Sequence, residues 1–177
     1  MGLSKFVFYR LLGWRIEGRF DKKIKKSVII VVPHTSSLDF FLGIFTRSIQ
    51  KLDIHYIAKK ELFKWPFGWY FRWTGGVSLD RTPGQNKVEA IAELFEKRDV
   101  FRLSLAPEGT RAKVLEWKTG YYFIAKAAKV PIIPVAFDYK LKKVIIHPPF
   151  IPTDDMKADT QYLVNLFKGT TGRHHSV

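Results

Sequence analysis

The chain has no cysteine among its 177 residues. That removes disulfides and thiolate chemistry without assigning a compartment. It has no Gly-x-Ser-x-Gly string either, so the serine nucleophile of a strand-to-helix elbow is absent. No stretch approaches the roughly 18–20 consecutive apolar residues of a membrane span. Arg10, Arg15 and Glu17 interrupt any signal-peptide core, and no cleavage-like site follows. These absences lead us to expect a cytoplasmic chain that does not cross the membrane. Acidic residues are scarce, with 16 Asp and Glu against 30 Lys and Arg and a formal net charge of +14. Such an excess favours polyanions: nucleic acid, an anionic bilayer or an acidic carrier protein. No helix-turn-helix, zinc or RNA-binding motif supports nucleic acid, and we expect none as a partner. No His-x₃-His or Cys/His spacing occurs, so no metal is expected.

What is present is a globular composition. Hydrophobic residues make up 46% of the chain, which excludes disorder. The length suits one domain over 1–177, with no repeat, linker or low-complexity segment. Segments 27–32, 100–105, 131–139 and 144–147 read as strands. Segments 39–49, 120–129 and 156–168 read as helices. A further helix carries Val88, Ile91, Ala92 and Phe95 on one face, after a turn at Thr82-Pro83-Gly84. This alternation predicts an α/β domain with a central, largely parallel or mixed sheet flanked by helices. His55 reads as a strand histidine and His147 as structural. Residues 169–177, with His174 and His175, read as a flexible tail.

Two strings carry chemistry. His34-Thr35-Ser36-Ser37-Leu38-Asp39 follows the first buried strand, which Pro33 bounds. On a regular helix, residues five apart point about 140° away from one another. His34 and Asp39 therefore meet only if His34 lies in the turn and Asp39 in the first helical turn. A carboxylate on one ring nitrogen would orient the imidazole and make it more basic. The same string also fits a capping box, with Asp39 bonding back to the Ser36 backbone. Pro107-Glu108-Gly109-Thr110-Arg111 follows another strand. It places a guanidinium and free backbone N–H groups at the sheet's carboxyl edge, where open α/β sheets bind ligands. Its alternative is an ordinary turn with a Glu108–Arg111 surface ion pair.

With these strings the chain resembles the glycerolipid acyltransferase family typified by lysophosphatidic acid acyltransferases. His34 and Asp39 match the family's first motif. Gly75 to Arg81 match the second, Glu108 to Arg111 the third, and Val130 to Val135 the fourth; Ala58-Lys59-Lys60-Glu61-Leu62 resembles its lysine-bearing region. The resemblance implies a glycerol-3-phosphate acyltransferase-like fold. It implies acyl transfer from acyl-CoA or acyl carrier protein, used as substrate rather than cofactor, to a lysolipid hydroxyl, as from 1-acylglycerol-3-phosphate to phosphatidic acid. His34 would be the general base and Asp39 its orienting carboxylate, with no acyl-enzyme. Arg81, Arg111 and Lys59 would hold the acceptor's phosphate, and Glu108, Gly109 and Thr110 would shape its loop.

Aromatic residues reach 15%. Residues 1–20 and the Trp65-to-Trp73 stretch, flanked by cations, suit a water–lipid interface, which predicts peripheral attachment at the inner membrane face. Trp65, Trp69 and Trp73 are four apart and would share a helix face, with Pro66 in the first turn. The other reading packs these aromatics against the sheet. The sequence also fits three other functions: a non-catalytic basic membrane-binding module, acylation of a different lysolipid or amino-acid lipid, and a hydrolase using His34 and Asp39 on water.

Overall fold

The computed structural model describes residues 2–79 and 86–177. Helix α1 (Leu3–Phe6) runs into a wider turn, Val7–Leu11, and then strand β1 (Arg15–Glu17). Next come β2 (Lys26–Val32), α2 (Leu38–Gln50) and β3 (Ile54–Ala58). A 3₁₀ turn, Lys60–Phe63, precedes α3 (Gly68–Trp73) and β4 (Gly76–Ser78). The rest comprises α4 (Lys87–Glu96), β5 (Phe101–Leu105), α5 (Gly120–Ala127), β6 (Ile132–Asp138), β7 (Lys143–Ile146) and α6 (Met156–Leu166).

Seven strands form one mixed, mostly parallel sheet in the order β1-β7-β6-β2-β5-β3-β4. Strands β6, β2, β5, β3 and β4 run one way, while β7 and β1 run the other. The alternation of side chains along β2 explains its central place. Val28, Ile30 and Val32 join Phe101, Leu103, Ile132, Tyr121 and Leu163 on one face. Ile29 joins Leu42, Val135 and Phe137 on the other. A strand covered on both faces needs a nearly continuous apolar run, and β2 has one.

Parallel pairing brings the carboxyl ends of β2, β5 and β3 to one edge. The loops carrying His34, Glu108 and Lys59 therefore leave the sheet side by side.

Several expectations need correction. β1 and β4 were not anticipated, because three residues are too short to show a period. The 1–20 segment, expected at a membrane surface, is divided between core and surface. Phe8 and Trp14 lie in the core, whereas Leu3, Phe6 and Leu11 face outward. In the tryptophan stretch the helix spans Gly68–Trp73, so Trp65 and Pro66 precede it. Residues 169–177 are not a loose tail. Thr171 C=O accepts from Tyr139 N–H at 2.7 Å, and Gly172 N–H donates to His175 C=O at 2.9 Å. The turn at residues 82–84 lies outside the described residues.

Candidate active site

His34 stands in the turn between β2 and α2, and Asp39 in the first turn of α2. His34 Nδ1 lies 3.1 Å from Asp39 Oδ2. The same oxygen accepts from the backbone N–H groups of Thr35 at 2.8 Å and Ser36 at 2.9 Å. The carboxylate half of the capping box and the imidazole–carboxylate pair are thus one construction: the backbone N–H groups of Thr35 and Ser36 that hold Asp39 also keep it beside His34. With Nδ1 engaged, Nε2 is left for chemistry.

Sequence reasoning missed the partner of the other carboxylate oxygen. Tyr139, just beyond β6, donates its hydroxyl to Asp39 Oδ1 at 2.5 Å. Burial pushes the Asp39 carboxyl upward, but hydrogen bonds from His34, Tyr139 and Ser36 outweigh it and hold the group below its ordinary value. Asp39 therefore stays ionised. Tyr139 carried no signal in the sequence, being 100 positions away from Asp39.

Glu108 does not form a surface ion pair with Arg111. Its side chain is buried, and Oε2 accepts from the His34 backbone N–H at 2.6 Å. This bond ties the second loop to the first. Burial raises the Glu108 carboxyl above its ordinary value; the bond from His34 opposes the shift without cancelling it. Gly109 has φ +66°, a left-handed conformation that favours glycine; a Cβ there would lie 2.7 Å from the far end of the Lys118 side chain, which can move aside. Gly109, Thr110 and Arg111 line a cleft together with His34 and Ala106.

The C-terminal segment reaches both loops. Arg173 N–H donates to Thr35 Oγ1 at 2.8 Å, and His175 Nε2 lies 3.2 Å from Arg111 C=O. Lys59 is exposed at the end of β3, beside the 3₁₀ turn, and lines neither this cleft nor the cavity described next. Arg81 lies outside the described residues. Among the described residues, no three His, Asp or Glu side chains gather to hold a metal.

On its other side His34 borders a cavity of about 350 Å³ beneath α2. Ile29, Val31, Val135 and Phe137 form its floor, and Phe40, Gly43 and Ile44 its roof. It extends from Asp39 to Arg47, about 12 Å of helix rise. A Cβ at Gly43 would meet nothing within 4 Å. Glycine inside a helix costs roughly 0.5–1 kcal/mol relative to alanine, and here it leaves the cavity roof open.

A carboxylate-held imidazole thus stands between a mostly apolar cavity and a cleft that carries Arg111. Residues 15–138 match the Acyltransferase family, and the chain belongs to that family. It is 33% identical over 119 residues to the 1-acyl-sn-glycerol-3-phosphate acyltransferase of Saccharomyces cerevisiae, covering 63% of this chain and 38% of that protein. It is 30% identical over 143 residues to the enzyme of that name from Salmonella typhimurium, covering 76% and 57%. It is also 30% identical over 142 residues to the human 1-acyl-sn-glycerol-3-phosphate acyltransferase beta, covering 73% and 49%. The chain thus spans about half the length of these relatives, or less.

Proposed function

We propose that this chain transfers a fatty acyl group from a thioester, acyl-CoA or acyl carrier protein, to the free hydroxyl of 1-acylglycerol-3-phosphate, giving phosphatidic acid. The observation that carries this reading is the position of His34: one imidazole borders both the apolar cavity and the cleft with Gly109, Thr110 and Arg111. An acyl chain suits the first and a phosphate the second. The relatives' names supply the acceptor.

Asp39 accepts a hydrogen bond from the Nδ1–H of His34, and Nε2 accepts the proton of the acceptor's hydroxyl. The oxygen attacks the thioester carbonyl carbon. The C–S bond breaks, the ester C–O bond forms, and the imidazolium returns its proton to the leaving thiolate. No acyl-enzyme is needed. Arg111, with Arg81, binds the acceptor's phosphate. Among these, Arg111 is the one beside His34 in the described cleft.

The acceptor and product are lipids, so the enzyme works at a bilayer surface. Among the described residues, no helix is long and apolar enough to cross a membrane. Trp65 is 94% exposed, and Trp69 and Trp73 are each 68% exposed. Lys59, Lys64 and Arg72 flank them on the surface. Exposed tryptophans beside cations fit the interface of an anionic membrane.

The decisive test mixes purified chain, oleoyl-CoA and 1-oleoylglycerol-3-phosphate, and follows thiol release and phosphatidic acid by mass spectrometry. Stoichiometric formation of both supports the proposal. Thiol release without a lipid product would indicate a hydrolase and overturn it. For the membrane, Trp69→Ala with Trp73→Ala should abolish the salt-resistant part of binding to anionic vesicles. Cationic contacts of about 1 kcal/mol each weaken with salt, whereas aromatic burial does not. Unchanged sedimentation at high salt would remove these tryptophans from the docking face.

A further inference from the structure

We propose that Tyr139 is a positioning residue for the catalytic pair: its hydroxyl holds the Asp39 carboxylate in the orientation that aims Oδ2 at His34. The kinetic consequence rests on the acyl-transfer reading; the geometric one does not.

Asp39 is 3% exposed, and protein donors reach both of its carboxylate oxygens. Oδ2 receives its donors, Thr35 N–H, Ser36 N–H and His34 Nδ1, from its own loop. Oδ1 receives its hydrogen bond from Tyr139, across the fold. Without that anchor, the carboxylate is free to turn about its Cβ–Cγ bond and share the loop's donors differently. With it, one oxygen is tethered to the sheet and the other is committed to His34.

Tyr139 is itself held from two sides. Its ring meets Trp14 edge to face, with centroids 5.0 Å apart and planes at 89°. Its backbone N–H donates to Thr171 C=O at 2.7 Å. The N-terminal and C-terminal segments therefore brace the phenol that braces Asp39. Burial first, then the bond to Asp39, keeps the phenol protonated and so a donor. The ionisable groups facing this cluster are His34, Glu108, Arg173 and His175.

Tyr139→Phe keeps the ring against Trp14 and deletes the donor. We expect kcat to fall about 10- to 100-fold, the range of a hydrogen bond to a buried charge. KM for donor and acceptor should stay within about twofold, since neither touches the phenol in this reading. The acid limb of the kcat–pH profile should move to higher pH, because the Asp39 carboxyl loses one of the hydrogen bonds that hold it below its ordinary value. In substrate-free protein, the His34 Nδ1–H resonance should shift or broaden. Added to Asp39→Asn, the change should cost little more, because the two residues act as one unit. A folded Tyr139→Phe variant with the parent's kcat, pH profile and ring signal would overturn the proposal, as would full additivity with Asp39→Asn. Should the parent fail to transfer acyl groups while the ring signal still depends on Tyr139, the acyl-transfer reading falls and the positioning role stands.

Discussion

The two loops at the sheet's carboxyl edge each bury one carboxylate, and they treat it in opposite ways. Asp39 and Glu108 are 3% and 4% exposed. Asp39 gathers donors on both oxygens and sits below its ordinary value. Glu108 has the His34 backbone N–H as its donor and sits above its own. Burial is therefore not what distinguishes them; the number of donors is. The first loop is built to keep a charge beside an imidazole. The second ties its position to the first, then opens into Gly109, Thr110 and Arg111, which are exposed.

The strongest way to break this contrast is to delete the chemistry of the first loop. His34→Ala should lower kcat by about 10²–10⁴-fold, the usual worth of general-base assistance, with the fold intact by circular dichroism. Near-parent turnover in a folded variant would mean that the base lies elsewhere.

Asp39→Asn should follow, lowering kcat about 10- to 100-fold and melting below the parent at pH 7. The sign follows from linkage: a carboxyl held below its ordinary 3.8 contributes stability above that pH and loses it as pH falls through the lowered value. The gap in Tm should therefore close only in strong acid.

Arg111→Ala probes recognition in the second loop. A charge-assisted contact to phosphate is worth roughly 1.5–3 kcal/mol, so the acceptor's KM should rise about ten- to a hundredfold, with little effect on the donor. If the variant still discriminates phosphorylated from neutral acceptors as the parent does, the cleft binds something other than phosphate.

The smallest effect sharpens the comparison most. Glu108→Gln keeps an acceptor for His34 N–H and removes a charge that burial disfavours. A carboxyl raised above its ordinary 4.5 contributes stability below that value and loses it as pH rises through the folded one. The Gln variant should thus melt slightly above the parent at pH 7, and the gap should close as pH falls toward 4.5. A Tm gap that widens in acid would mean that Glu108 behaves like Asp39.

Legibility in the sequence followed local range. The strands at 27–32 and 100–105 were readable because β-branched and apolar runs ended at loop residues, and β2 and β5 occupy nearly those positions. β1 and β4, with three residues each, left no period to detect. The aromatic segments show the limit of composition. Trp14 and Trp69 both sit among aromatics and cations, yet Trp14 is 7% exposed and Trp69 is 68% exposed. Which one packs depends on whether another element arrives to cover it, and Tyr139 and Phe8 arrive for Trp14.

By itself the sequence determined the α/β class, the placing of His34 and Asp39 around a strand-to-helix turn where they could pair or Asp39 could cap, and the glycine at 109, because each depends on neighbours within a few residues or on a strand's own pattern. Only the tertiary structure decided that Glu108 would hold the His34 backbone, that Tyr139 would hold Asp39, and that residues 170–176 would lie across both loops rather than hang free. These contacts join positions 64 to 138 residues apart. They exist because parallel pairing collects the carboxyl ends of distant strands at one edge, a consequence of sheet order that no local stretch of sequence carries.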